Sequence, residues 1–332
     1  MFFMIEKETL FVLGAGAGVP YKFPSGKDLR DNIIDYSLNR YNSFNSTEYG
    51  KYHDFEREKI TERFNFFTKK YLDSKIISID LFLAMHPKLA DIGKKAIVIA
   101  LNESEKGYLR DVITSTKTYD WMEYLYNKFL INGLKSSATE EIEKFKENKI
   151  SFITFNYDRS LEYFFWQAIS NSFSANQEIK VFDIYSTIKI YHIYGDLGTL
   201  DDFIQRNQRG EPLGNIEFVE QVNVVKDNIK TIFEREVLQN QEEVVEMFKK
   251  AQRIFFLGFG FAEENIRALN LNEIDFQDKK VYTTGFGLED EIRRVILNAP
   301  TSFSHALDGF VRYTAGSHFP KLDSKLLIKK FL

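Results

Sequence analysis

The sequence predicts an α/β fold: a mostly parallel sheet with helices on both faces and a large helical insertion. Three observations lead there. Short, continuously apolar runs recur at 10–13, 150–155, 253–257 and 281–284, as expected of strands covered on both faces. Three of these runs end in glycine, before Gly14-Ala15-Gly16-Ala17-Gly18, Gly258-Phe259-Gly260 and Gly285-Phe286-Gly287. Helical patterns separate the strands, and strands alternating with helices form parallel sheets through right-handed crossovers.

The elements follow in order. Thr9 to Leu13 is a strand running into a glycine turn. After Pro20 and Pro24, the apolar positions Leu29, Ile33, Ile34 and Leu38 recur at helical spacing. Residues 41–148 read mainly as helices. Phe64, Phe67, Tyr71 and Leu72 mark one apolar face, and Trp121, Leu125, Phe129 and Leu130 another. Lys135 to Ala138 is a polar linker before a charged helix at 139–148. A strand at 150–155 precedes a helix from Arg159 to Ile169. Ile179 to Ile184 and Ile188 to Tyr194 are two further strand candidates. Residues 196–222 look loop-rich, and Val225 to Lys250 helical. The strands at 253–257 and 281–284 follow, with a helix from Glu289 to Asn298. The chain reads as one domain, 1–332, with a Rossmann-like core at 8–40 and 149–300. The helical insertion is 41–148 and the C-terminal tail 301–332.

Composition narrows the function classes. The 332 residues carry 44 Lys+Arg against 48 Asp+Glu, a formal net charge of −4. A general nucleic-acid binder depends on excess positive charge. Cysteine is absent and there are five His, so disulfides, thiol nucleophiles, zinc–thiolate sites and His-rich metal sites are not expected. The apolar Met1–Ile5 run is too short for a signal peptide, and no window suits a membrane span. A reducing cytoplasm is the simplest setting. Phe (32) and Tyr (17) are many, and are read first as core and interface material.

Four segments carry the candidate chemistry. In α/β sheets, ligands bind where the strands' carboxyl ends meet a switch point. Gly14, Ala15 and Gly16 sit at such an end and suit close approach to a pyrophosphate; a tight structural turn explains the glycines equally well. The dinucleotide fingerprint G-x-G-x-x-G fails at Val19, and Asp35 falls in a helical pattern. A P-loop fails at Tyr21 and Asp28. In Thr154-Phe155-Asn156-Tyr157-Asp158, Asn156 suits holding a water or a ribose hydroxyl, and Asp158 suits a helix cap. In Ile190 to Asp196, His192 and Tyr194 are two apart and so are expected on one face. Gly258-Phe259-Gly260, followed by Glu264 and Asn265, is a second strand–glycine–helix junction, or else a turn with an acidic helix start.

Together GAGAGVPYKFPSG (14–26), TFNYDRSLE (154–162), HIYGDLG (192–198) and FLGFGFAEEN (256–265) resemble the sirtuin-like domain family. Within it the chain is similar to the bacterial, NAD-hydrolysing branch of anti-phage defence systems. The deacetylase branch carries a four-cysteine zinc module that is missing here. The resemblance implies NAD⁺ as substrate without a metal, and release of nicotinamide and ADP-ribose. It implies that Asn156 positions water or ribose and that His192 is the base. Gly14, Ala15 and Gly16 would line the pyrophosphate. Asp158 and Gly195 would belong to the same pocket, with Gly258, Phe259, Gly260, Glu264 and Asn265 expected on the adenosine side and Gly285 over adenine. The family's His directly precedes the Gly, where this chain has Tyr194; His192 stands one strand period earlier, displaced by about 6–7 Å. Either His192 reaches the pocket, or Tyr194 acts through its hydroxyl, or the site only binds. The resemblance also implies a homo-oligomer and a partner such as a HerA-like ATPase or an Argonaute-type protein. Other readings are an NAD- or ADP-ribose-binding module without turnover, a deacylase or ADP-ribosyltransferase, and, from Glu178-Ile179-Lys180, a metal-dependent nuclease.

Overall fold

The computed structural model describes residues 4–35, 54–114, 120–131, 134, 139–173, 181–200, 222–232, 234, 241–284, 302–303, 305–306 and 324–332. Five parallel strands form one sheet: β1 (Thr9–Leu13), β2 (Ile150–Thr154), β3 (Lys189–His192), β4 (Arg253–Leu257) and β5 (Lys280–Thr283). Their order is β3-β2-β1-β4-β5, and every neighbouring pair is parallel. The order reverses at β1, so the crevice between the β1 and β4 ends is the switch point. The register aligns Leu13 with Thr154 and Leu257, and Thr154 with His192. All the loops that follow therefore leave from one rim.

Each sheet face buries its own core. On one, Phe11 stacks between Phe152 and Phe255, with centroids 5.2 Å apart on both sides. Phe255 stacks on Tyr282 at 4.7 Å, and Tyr282 on Phe331 at 4.8 Å. This ladder crosses β2, β1, β4 and β5 and accounts for part of the phenylalanine richness. Each fully buried phenyl contributes about 1.5–3 kcal/mol of apolar transfer. The opposite face buries Leu10, Val12, Ile153, Ile254 and Phe256.

A helix, α1, covers 26–35. Ser25 and Asp28 close its start as a capping box: the Ser25 N–H and hydroxyl both donate to Asp28 Oδ2, and the Asp28 N–H donates to Ser25 Oγ. The insertion is helical where described: α2 (Asp54–Ser74), α3 (Ile79–Met85), α4 (Ala90–Thr114), α5 (Trp121–Leu125) with a π turn at Tyr126–Leu130, and α6 (Thr139–Lys146). Phe64, Phe67 and Tyr71 are buried as expected, but Leu72 is 41 % exposed. Then come α7 (Ser160–Phe173), α8 (Val181–Tyr185), α9 (Gln241–Lys250), α10 (Glu263–Ala268) and α11 (Ser324–Phe331).

Two expected elements differ. The strand expected at 179–184 is helical over Val181–Tyr185. Its apolar residues fit both periods, and burial of Ile184 against the α6–α7 side selects the helix. The helix expected from Val225 turns at 226–228 before α9 begins at Gln241. In the tail, α11 docks on the sheet edge: Leu327 and Ile328 are buried and Arg253 Nη1 donates to the Leu332 carbonyl at 3.0 Å. The linker 135–138, Glu178-Ile179-Lys180, residues 201–221 and the helix expected at 289–298 lie outside the described residues.

A cleft at the carboxyl ends of the strands

A cleft of about 1080 Å³ opens at the switch point. Gly14, Ala15 and Gly16 from the β1 loop line it, as do Phe155, Asn156, Tyr157 and Asp158 from the β2 loop. Tyr194 enters from the β3 loop, with Gly258, Phe259, Gly260, Glu264 and Asn265 after β4 and Thr284 after β5. The opposite wall comes from the insertion and the tail: Lys75 to Ser78 between α2 and α3, Ile79 to Leu81 in the first turn of α3, Leu101 of α4, Asp120, Ser324 and Lys325. The four distant segments thus converge. Gly285 lies outside the described residues.

The glycines have a structural task of their own. A Cβ on Gly14 would stand 2.5 Å from the Gly258 oxygen, and one on Gly16 2.9 Å from Gly258 Cα. Gly258 itself has φ +56°, and its Cβ would meet the Ala17 nitrogen at 2.0 Å. Side chains at these positions would push the β1 and β4 loops apart. The Gly14 and Gly16 N–H groups are also engaged, donating to the Leu257 and Gly258 carbonyls at 3.0 Å each. Gly260 differs: a Cβ there meets nothing within 4 Å. The insertion clamps the loop from outside, where the Trp121 indole donates to the Ala17 carbonyl at 2.9 Å.

Asn156 and Asp158 lie in the loop that leaves β2. The Asp158 carboxylate accepts from the Ser160 N–H at 3.1 Å and so holds the first turn of α7, the capping role foreseen for it. Burial pushes its carboxyl up to about 6, against the lowering effect of that hydrogen bond. Next to it Arg159 N, Nε and Nη2 all donate to Glu105 of α4, the last at 2.7 Å, and the pair is almost fully buried. This ion pair ties the insertion to the Asn156 loop.

His192 and Tyr194 do not share a face. The strand ends at His192, and Ile193 makes one more ladder bond, to the Thr154 carbonyl at 2.8 Å. The chain then turns through Gly195, at φ +80°, where a Cβ would stand 1.9 Å from the Asn228 oxygen. The turn breaks the period-2 alternation, so Tyr194 joins the face of Phe155 and Tyr157 while His192 points to α7. Gly195 shapes this turn and does not line the cleft.

His192 does not line the cleft either. Its Nδ1 donates to the Asn156 carbonyl at 2.8 Å, and its Nε2 meets Glu162 Oε1 at 2.5 Å. Burial, the largest single effect, lowers its pKa; the charge and hydrogen bond of Glu162, the charge of Asp196 and the bond to the Asn156 carbonyl together outweigh it, and the pKa rises to about 9. The imidazolium therefore holds the backbone of Asn156 from behind. Tyr194 faces the cleft, where its hydroxyl donates to Asn265 Oδ1 at 3.0 Å.

Asp80 is a cleft residue the motif reading missed. Its hydrogen bond comes from the Tyr157 hydroxyl. Burial pushes its carboxyl up to about 6; that bond opposes the rise and Glu264 adds to it. An Asp early in a helix reads in sequence as a dipole partner, so nothing flagged it. The cleft holds four carboxylates, Asp80, Asp120, Asp158 and Glu264, against Lys75 and Lys325, among the described residues. Groups of His, Cys, Asp and Glu able to hold a metal ion are absent among the described residues, as are helices long and apolar enough to cross a membrane.

Residues 150–275 match the family model of the SIR2-like domain. That span covers β2 to β4 and holds Asn156, His192, Tyr194 and the Gly258 loop; the Gly14 loop and the insertion lie outside it. A comparison with curated proteins found no match.

Proposed function

We propose, from the premise that this chain is sirtuin-like, that it is an NAD⁺ glycohydrolase releasing nicotinamide and ADP-ribose. One observation carries the reading: the Gly14 loop and Asn156, 142 positions apart in sequence, open onto the same cleft. The volume sits at the upper end of small-molecule sites, about 300–1,000 Å³, which suits a dinucleotide. The open space at Gly260 leaves room for a ligand against the β4 loop.

The charge of the cleft fits the chemistry. The nicotinamide-ribose bond breaks through a cationic, oxocarbenium-like ribose, and cleft carboxylates stabilise that positive charge. Asn156 orients the ribose or the attacking water. Glu264 and Asn265 suit ribose hydroxyls, and Lys75 and Lys325, the lysines lining the cleft among the described residues, suit phosphate oxygens. His192, with both ring nitrogens engaged, acts by fixing Asn156 and not as the base.

A second reading has one observation in its favour. No His lines the cleft among the described residues, and the Tyr194 hydroxyl is engaged by Asn265; this suits a module that holds NAD⁺ or ADP-ribose without turnover. The two readings separate in one experiment. Purified protein is incubated with NAD⁺ and nicotinamide is followed by chromatography, with binding measured by calorimetry. The hydrolase reading expects release by the wild type and a loss of about 10²-fold or more in Asn156→Ala. Tight binding without product supports the module. The proposal extends to a role in anti-phage defence by NAD⁺ depletion in the cytoplasm. There a homo-oligomer or a partner, such as a HerA-like ATPase or an Argonaute-type protein, restrains the activity.

A further inference from the structure

The insertion delivers an ionisable side chain to the part of the cleft that holds the Asn156 loop. Asp80 is the second residue of α3, and Ser78 caps that helix by accepting from the Leu81 N–H. It lines the cleft beside Tyr157, whose hydroxyl donates to its Oδ1. Tyr157 directly follows Asn156 in the chain and is 4 % exposed. A substrate held by Asn156 therefore lies one residue from this pair.

Three other candidates are occupied. Both nitrogens of His192 are bonded away from the cleft. The Asp158 carboxylate is bonded to the first turn of α7. The Tyr194 hydroxyl keeps its proton in the bond it donates to Asn265.

We propose that Asp80 is the general base of the cleft, with Tyr157 positioning its carboxylate. The assignment rests on the hydrolase reading. The water oxygen forms a bond to C1′ of the nicotinamide ribose. The C1′–nitrogen bond breaks and its electron pair leaves with nicotinamide, which departs neutral. The water proton passes to Asp80 and from there to solvent, which restores the carboxylate.

The surroundings suit that task. The ionisable groups facing Asp80 are Tyr157, Glu264 of α10 and Tyr71 of α2, whose own hydroxyl donates to the Ile77 carbonyl at 2.7 Å. A carboxyl lifted to about 6 is ionised at neutral pH yet more basic than a free one.

The test uses the full chain. Nicotinamide release from NAD⁺ is followed across the pH range from acid to neutral, with NAD⁺ binding by calorimetry, for the wild type, Asp80→Asn and Tyr157→Phe. The wild type is expected to lose turnover below about pH 6. Asp80→Asn is expected to lose about 10²-fold or more in kcat with Kd nearly unchanged. In Tyr157→Phe the carboxylate loses a hydrogen bond that favours its charged form, so the acid limb moves to higher pH. Asp80→Asn turning over within about threefold of the wild type, or an unmoved acid limb in Tyr157→Phe, overturns the assignment and leaves the hydrolase reading standing. A wild type that binds NAD⁺ but releases no nicotinamide at any pH overturns both.

Discussion

Replacing Glu162 by Gln removes the charge that keeps His192 protonated inside the protein. The two side chains are 9 % and 12 % exposed, with 2.5 Å between Nε2 and Oε1. The His192 pKa rises from 6.5 to about 9, and at about 1.4 kcal/mol per unit that rise amounts to about 3 kcal/mol. The figure agrees with the cost of about 3–5 kcal/mol for removing one partner of a buried pair. For a chain of 332 residues it corresponds to a fall in Tm of about 4 °C. The sign of the pH dependence is set by a folded pKa above the unfolded one. The stabilisation is full below about pH 6.5 and is lost as pH rises through about 9. Thermal melts of wild type and Glu162→Gln from neutral to alkaline pH check this. The two proteins should differ most near neutrality and converge in alkali. A Glu162→Gln protein that melts with the wild type at neutral pH would falsify the ion-pair account of His192.

Two further perturbations follow from the same geometry. Gly14→Ala places a Cβ 2.5 Å from the Gly258 oxygen; a loss of about 1–3 kcal/mol in urea unfolding is expected, and a neutral result would mean that the two loops move apart freely. Glu105→Gln leaves the buried Arg159 guanidinium without its counter-charge; a loss of about 3–5 kcal/mol is expected by the same assay, and an unchanged midpoint would show that the insertion is not held to the Asn156 loop by this pair.

Much of the fold is legible along the chain because its signals are local. Strands such as Phe11-Val12-Leu13 and Phe255-Phe256-Leu257 are apolar on both faces, and glycine follows both directly at the rim. Elements whose apolar residues fit two periods are not legible that way. Val181–Tyr185 is helical because Ile184 is buried beside α7, and no property of the segment alone selects that packing.

The site divides on the same line. Asn156, Gly14 and Gly258 could be named from sequence because each stands directly after a strand, where residue type and position together define the rim. The partners of His192 could not. One turn at Gly195 sends Tyr194 to the cleft and leaves His192 against Glu162, and a period-2 extrapolation has no term for a strand that ends. Asp80 was hidden for a different reason. It sits in an insertion without recognisable motifs, and only the packing of α3 over the strand ends brings its carboxylate to Tyr157. Sequence determined the strands, their glycine ends and the rim on which a ligand would sit, since these follow from local backbone and burial preferences. Which ionisable groups share a dielectric environment depends on distances across the fold, and tertiary structure alone decided that.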